Sequence, residues 1–553
     1  MLLHEFLEES TRKYPQKIAL VQKEERWTYR AIDEKANQVA HLLWDKGIRR
    51  GDRVAIFLDS SVESVISLFG ILKADAVFLM LSPLLKPAKL GYILNNCRVK
   101  ALITHTNRLS VVSGISDSIP SLQFVVFVGD KDKIPASNCP NPIYWQEINS
   151  LCSNNSSNPS NSSNPSNSSN FHHGTCNSQP ATRNSNSASN LQPRTLNIDL
   201  DLATIIYTSG STGNPKGVML THLNMISAAT SITTYLGNVP EDIIIDCLPL
   251  SFDYGLYQVL MAFKFGGTVI LEKSFTYPYD IIKKIVKERV TGFPGVPTVF
   301  AILLQMKDLK NFDLQSLRYI TNTAAALPVS HIRQIREAFP QATLYSMYGL
   351  TECKRVSYLP PEELDRRPDS VGRGMPNEEV WIVDGEGRKA GPGVVGELVV
   401  RGSNVMRGYW EDPETTDKVL KPGPLPGEKI LYTGDLFRID EEGFLYFVGR
   451  KDDMIKTRGE RVSPKEVENA LYALEGVAEA AVIPVPDEIL GQAIKAFVVL
   501  KKGYALGEKD LQLHCKKMLE EFAVPKYFDF RNSLPKNASG KIDKLTLKQQ
   551  EPP

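Results

Sequence analysis

Ile205-Ile-Tyr-Thr-Ser-Gly-Ser-Thr-Gly-Asn-Pro-Lys-Gly-Val218 decides how the rest of the chain is read. An apolar run enters a loop of Ser, Thr and Gly, Lys216 follows, and apolar residues resume. Gly210 and Gly213 let backbone N–H groups approach an anion closely. The hydroxyls of Thr208, Ser209, Ser211 and Thr212 add donors, and Lys216 adds positive charge. This is the chemistry of a phosphate cradle. It differs from the G-x-x-x-x-G-K-[ST] loop, because Pro215 rather than a glycine precedes Lys216.

Outward from this stretch the texture is α/β. Arg53-Val-Ala-Ile-Phe-Leu, Ala101-Leu-Ile-Thr and Gln123-Phe-Val-Val-Phe-Val are short apolar runs suited to buried parallel strands. Tyr29 to Gly47 reads as a helix closed by glycine. Val65 to Leu81 approaches a membrane-spanning length but contains Lys73 and Asp75, so a buried helix followed by a strand is expected. From Val380 to Val448 strands alternate with Gly-rich turns, and a compact α+β stretch follows Arg450.

At 553 residues the chain exceeds one hydrophobic core, so more than one domain is expected. Lys+Arg 64 against Asp+Glu 63 leaves a net charge of +1, which speaks against nucleic acid and anionic membrane as partners. The seven cysteines show no C-x-x-C spacing, which fits a reducing compartment without disulfides or structural zinc. The start carries acids too early for a signal peptide. A soluble, cytoplasmic protein without stable membrane insertion is expected. Ser156 onward repeats SSNPSN, and Ser/Asn enrichment continues to about Asn190. This tract cannot bury enough surface to offset its ordering entropy, so a disordered insert is expected over about 152–195.

Further motifs follow in order. They are Tyr345-Ser-Met-Tyr-Gly-Leu-Thr-Glu352, Tyr432-Thr-Gly-Asp435, Gly449-Arg-Lys-Asp-Asp-Met-Ile-Lys456 and Leu534-Pro-Lys-Asn-Ala-Ser-Gly-Lys541. Together with Thr208 to Lys216 they resemble the adenylate-forming superfamily of acyl-CoA synthetases, peptide-synthetase adenylation domains and beetle luciferases. The resemblance spans nearly the whole chain apart from the insert. It implies an α/β fold: a large N-terminal domain of stacked α/β sheets with a β-barrel-like subdomain, and a small hinged α+β C-terminal domain. The implied division is an adenylation domain over 1–449, a hinge over 450–452 and a mobile lid over 453–553.

The resemblance also implies chemistry. ATP and a carboxylic acid would form an acyl-adenylate with release of pyrophosphate, and a thiol, CoA first of all, would then take the acyl group. Lys541 resembles the lysine that stabilises charge developing at the carboxylate and α-phosphate. Glu352 resembles the Mg2+ carboxylate, with Thr351 and Thr212 beside phosphate. Tyr348 would stack on adenine, with Ala324, Ala325 and Gly349 along the nucleotide. Asp435 would accept ribose hydroxyls, with Arg450 beside it. Asp452 aligns with the hinge residue and Lys456 with a lysine of the thiolation state. Taken singly each residue has a duller reading, such as a solvated carboxylate, a surface arginine or a core tyrosine; their joint spacing is what selects the functional one.

By the same resemblance Phe252, Asp253, Tyr254, Tyr257, Thr321, Thr323, Met347, Arg355 and Val356 surround the acyl group. A buried Arg355 needs an acceptor, either Asp253 or a polar group of the substrate. The tyrosines leave little room for a long straight chain, so a small or polar carboxylic acid is expected. Ala74-Asp75-Ala76 departs from the family, where glycine is usual between the alanines. The rival within the enzyme class is a stand-alone ligase that loads an amino or hydroxy acid onto a carrier-protein phosphopantetheine. The chain ends soon after Lys541, so such an acyl carrier protein is expected to act in trans. Luciferase-like oxygenation is demanded by no residue, and a dead binding module is opposed by intact Thr212, Glu352, Asp435 and Lys541.

Deleting Ser156 to Asn190 should leave adenylation rate and melting temperature nearly unchanged, because loop-closure entropy varies slowly with length. Loss of folding or activity in the shortened protein would show that the tract is structural.

Overall fold

In the computed structural model the described residues are 1–130, 139–148, 197–208, 215–306, 308–323, 325, 327–457, 460–487, 490–537 and 540–551. The Ser/Asn-rich tract and residues 209–214 lie outside them. The strand Leu202–Thr208 from the opening motif lies parallel to Val77–Met80 and returns antiparallel as Lys216–Thr221. The hairpin connection therefore opens at the carboxyl end of that parallel strand. The sheet continues through Arg53–Phe57, Ala101–His105, Phe124–Val128 and Pro142–Tyr144, with Gly408–Tyr409 on its other edge. These are the apolar runs read as buried strands.

A nine-stranded sheet forms the second half of the large N-terminal part. Its parallel centre comprises Thr343–Tyr348, Tyr319–Asn322, Gly292–Gly295, Ile243–Asp246, Thr268–Leu271 and Ile18–Gln22. Between the sheets lies the helix Asp253–Phe265, whose residues 253 to 263 are all buried. A helix apolar on every side requires neighbours on every side. Phe263 stacks on Phe69 at 5.0 Å and meets Tyr29 edge-on at 5.3 Å.

Val62–Lys73 is a helix and Val77–Met80 a strand, as the interrupted apolar run requires. Lys73 is tolerated because its ammonium reaches Asp33 at 2.7 Å and Glu8 at 3.1 Å. Asp75 has φ 61°, a left-handed turn that favours glycine, which explains why glycine suits that position. No helix among the described residues is long and apolar enough to cross a membrane.

The barrel-like subdomain is built on a five-stranded antiparallel sheet of Glu378–Val383, Val395–Gly402, Lys429–Ile439, Leu420–Pro422 and Leu445–Arg450. The C-terminal part has its own five-stranded sheet, with Gly491–Leu500 at its centre and Val477–Asp487 along one edge. Its helices Pro464–Ala473 and Glu508–Met518 close a separate core around Val467, Leu471, Val482 and Leu511. It rests on the N-terminal part through Thr298, whose hydroxyl donates to the Gly540 carbonyl at 2.9 Å. His331 also meets Tyr472 edge-on at 5.7 Å.

Asp242 anchors the nine-stranded sheet at the amino ends of three strands. Its side chain is 1% exposed and receives Arg318 Nη2 at 2.6 Å, Arg318 Nε at 3.1 Å and Thr291 Oγ1 at 2.9 Å. Burial alone would raise its carboxyl, but the bonds from Arg318, Asn238, Val239 and Thr291 outweigh burial and hold it below the usual carboxylate range. Asp242→Ala should cost about 3–5 kcal/mol, because it leaves buried donors without their anion. The folded-state value is depressed, so this contribution is present above the ordinary carboxylate range and is lost as pH falls through the folded value. Urea titrations of both proteins between neutral and acid pH should therefore converge; a constant difference would remove Asp242 as the cause.

Candidate active site

Thr208 ends one strand and Lys216 begins the next, so the structure delimits the cradle at both ends. Ser209, Gly210, Ser211, Thr212 and Gly213 lie outside the described residues. Lys216 Nζ stands 5.5 Å over the ring of Tyr409. The Tyr409 hydroxyl in turn donates to Glu352 Oε1 at 2.7 Å. Tyr409 thus links the cradle to the acid of the second motif, a contact that sequence reasoning missed. Its one sequence signal is an aromatic pair, Tyr409-Trp410, beside a glycine. Burial first, and Glu352 next, push the Tyr409 hydroxyl up, so it remains a donor.

Tyr348 ends the strand Thr343–Tyr348, and a short turn, Thr351–Cys353, follows. Gly349 is required here by close approach. A Cβ on it would stand 2.6 Å from the Lys354 carbonyl, where the chain folds back and Val356 N–H bonds the Tyr348 carbonyl at 3.0 Å. The Tyr348 hydroxyl donates to Asp435 Oδ2 at 2.6 Å, and its ring meets Phe437 edge-on at 4.8 Å. Asp435 Oδ1 forms an ion pair with Arg450 Nε at 3.2 Å but accepts no hydrogen bond. Burial raises the Asp435 carboxyl, while Arg450 and Tyr348 pull it back. A buried carboxylate with an unused acceptor suits a hydroxylated ligand.

Glu352 is the carboxylate available to a cation. Among the described residues no cluster of three or more His, Cys, Asp or Glu could hold a metal. One carboxylate fits Mg2+, which keeps waters and takes substrate phosphates rather than an all-protein cage. Thr351 stands beside it in the same turn. The Ala325 carbonyl accepts Asn322 Nδ2 at 3.2 Å, and Ala324 lies outside the described residues.

The acyl-pocket candidates also converge. Phe252 caps the buried helix and Asp253 is its first residue, where the positive end of the helix favours an anion. The Tyr254 hydroxyl donates to the Thr321 carbonyl at 2.9 Å, and Tyr257 and Thr323 are buried nearby. Met347 Sδ accepts from the Tyr235 hydroxyl at 3.0 Å, and Val356 is fully buried. Of the two partners considered for Arg355, Asp253 is not paired with it among the described residues. Lys354 takes that place, with Nζ 3.6 Å from Asp253 Oδ2, because its side chain lies over Tyr257 at 4.7 Å while Arg355 turns to the face of Tyr254 at 5.4 Å. Lys354 was missed by sequence reasoning, although the doublet Lys354-Arg355 in a buried turn is its signal. Burial lowers Lys354 to about 7, with Asp253 opposing and Arg355 adding to the drop.

Lys541 comes from the C-terminal part and enters this cluster, its Nζ 5.7 Å over the Phe252 ring. Burial lowers it first, and Asp253, Asp435 and Glu352 pull it back up against Arg450. Lys541, Asp253, Asp435, Arg450 and Glu352 therefore share one electrostatic site. Lys456 is not brought to it: its side chain is exposed, and its backbone N–H bonds Gln492 Oε1 at 2.8 Å. Asp452 is exposed in the turn after Arg450.

Comparison with known proteins identifies the family. Residues 7–410 match the AMP-binding enzyme family, and residues 466–541 match the AMP-binding enzyme C-terminal domain. A long-chain-fatty-acid–CoA ligase of Bacillus subtilis (strain 168) is 32% identical over 557 residues, covering 99% of this chain and 94% of the relative. The anthranilate CoA ligase AuaEII in complex with anthranoyl-AMP superposes with a TM-score of 0.84 at 27% identity, covering 99% of this chain and 97% of that one. ATP-bound MatB from Rhodopseudomonas palustris gives a TM-score of 0.81 at 26% identity, covering 99% of each chain. Matched by the family over most of its length and by CoA ligases over nearly all of it, the chain belongs to the AMP-binding enzyme family and is an AMP-forming acid–thiol ligase of the acyl-CoA synthetase kind.

Proposed function

We propose that the protein activates a small, polar carboxylic acid with ATP and passes the acyl group to CoA. A carboxylate oxygen of the acid attacks the α-phosphorus and pyrophosphate leaves; the thiol then attacks the acyl carbon and AMP leaves. The reading is carried by Lys541, a lysine of the C-terminal part that is half-buried over Phe252 and feels the charges of Asp253, Asp435 and Glu352. In this reading Lys541 meets the charge that develops between carboxylate and α-phosphate, where a preoriented cation has most effect. Asp435, backed by Tyr348 and Arg450, takes the ribose hydroxyls. Glu352, oriented by Tyr409, holds Mg2+, which when bound offsets phosphate charge. Thr208 to Lys216 surround the phosphates, and the tyrosine-lined pocket excludes a long straight tail.

Lys541→Ala should lower pyrophosphate exchange by roughly two to three powers of ten, in kcat more than KM, with the melting temperature kept. Exchange at the rate of the unaltered protein would end the assignment.

We also propose that residues 450–452 form a hinge between the two half-reactions, with Lys456 serving the second. Asp452→Pro fixes φ near −65° and removes an N–H, so it should restrict rotation. Pyrophosphate exchange should persist while thioester yield falls steeply, with either CoA or a carrier protein as acceptor. Equal losses in both assays would remove the hinge, and a yield confined to the carrier protein would replace CoA as the acceptor.

A further inference from the structure

Lys354 and Arg355 stand side by side in the turn after Glu352, 4% and 1% exposed. Burying a cation is costly unless an anion and acceptors replace its water. Lys354 has Asp253 at 3.6 Å, and otherwise faces the rings of Tyr254 and Tyr257. Arg355 has less, since its Nε and Nη1 meet no acceptor among the described residues. Its guanidinium is a planar fork shaped for a carboxylate, and among the described residues no carboxylate forms an ion pair with it.

The neighbouring acids do not discharge the pair. Glu378 gives Oε1 to Asn404 Nδ2, and burial pushes its carboxyl well up, towards the neutral form. Asp246 is fully buried, accepts Leu248 N–H at 3.1 Å and is pushed up in the same way. The turn is also strained: Lys354 has φ 38°, which an L side chain rarely adopts. Asn404 Nδ2 holds it there through the carbonyls of Cys353 at 2.7 Å and Arg355 at 3.0 Å. Strain of this kind persists where surrounding structure enforces it, and it gathers at ligand clamps.

Resting on the ligase reading above, we propose that Lys354 and Arg355 receive a second carboxylate of the acid, so that the substrate is a short dicarboxylic acid activated at one end and held at the other. The Arg355 fork takes the carboxylate side-on, and Lys354 shares it while keeping Asp253 as counter-charge. The spacer is short, because Lys354 Nζ lies 3.6 Å from Asp253 Oδ2, and Asp253 directly follows Phe252, over whose ring Lys541 Nζ stands at 5.7 Å. Tyr254 and Tyr257 pack the space that a long aliphatic tail would need.

The test is pyrophosphate exchange by the full-length protein with acids matched in carbon number: succinate against butyrate, and glutarate against pentanoate. The dianion of at least one pair should exceed its monoanion in kcat/KM by roughly a hundredfold or more, as for a site whose buried donors would otherwise stay unpaired. Arg355→Met and Lys354→Met should each remove most of that preference through KM, and Arg355→Lys should restore part of it. Equal use of both acids by the unaltered protein, or equal losses for both acids in the variants, would mean that the cations only neutralise Glu378 and Asp253. The comparison within the unaltered protein stands even if a variant does not fold. Exchange with monoanionic acids alone would overturn this inference and leave the ligase reading standing; no exchange with any acid would overturn both.

Discussion

Asp435 is the residue on which the site depends. Its carboxylate is 8% exposed and is held by Tyr348 and Arg450. Tyr348 ends a strand of the nine-stranded sheet, Asp435 lies in the five-stranded antiparallel sheet, and Arg450 ends that sheet before the C-terminal part begins. Asp435 and Arg450 are direct cross-strand partners, so ladder register alone brings their charges together. One buried anion thereby fixes three parts of the chain relative to each other. Losing the Tyr348 hydroxyl would leave that carboxylate a donor short, at a cost of roughly 1–3 kcal/mol, while the arginine, 62% exposed, contributes less because water screens it.

The remaining geometry follows from where parallel strands end. Leu202–Thr208 delivers the cradle at its carboxyl end. Tyr319–Asn322 and Thr343–Tyr348 deliver Thr323 and the Tyr348 turn at theirs. Ligands in open α/β sheets gather at such ends. The buried helix Asp253–Phe265 occupies the space between the sheets and points its amino end at the cluster. It can do so because Gly255 lets it approach the 248–249 backbone, where a Cβ would stand 2.5 Å from the Pro249 carbonyl.

Much of this was legible in the chain. The buried strands and the helix–strand reading of Val65 to Leu81 follow from patterns that are local in sequence, whereas grouping Lys541, Glu352, Asp435 and Arg450 rested on the family resemblance. What was not legible depended on side-chain direction. The Lys354-Arg355 doublet puts two equal charges on successive residues, and only the positive φ at Lys354 decides which one turns toward Asp253. Tyr409 was opaque for a different reason: its role rests on a two-residue edge strand pairing with Val218, and no periodicity marks so short an element. Lys456 illustrates the converse, since a motif proposes a role for it, yet it lies outside the cluster with its side chain exposed.

That last point bears on why the lysine of the adenylating site is carried by a separate unit. Lys541 is half-buried where it meets the N-terminal part, and the loss of water disfavours its charge. The opposing pull comes from Asp253, Asp435 and Glu352, all of which belong to the N-terminal part. Docking therefore exchanges water around one ammonium for three carboxylates at a distance, and none of them forms an ion pair with it among the described residues. Direct hydrogen bonding between the two parts at this edge is modest, with the Thr298–Gly540 bond at 2.9 Å nearest the lysine. Such an arrangement is poised rather than locked. A bound nucleotide and acid would add anions at the position the ammonium already occupies and so favour the docked state. Departure of pyrophosphate would remove part of that attraction and ease release. On the proposed two-step reading, the charge that would stabilise the first reaction is the same charge whose loss would free the domain to move.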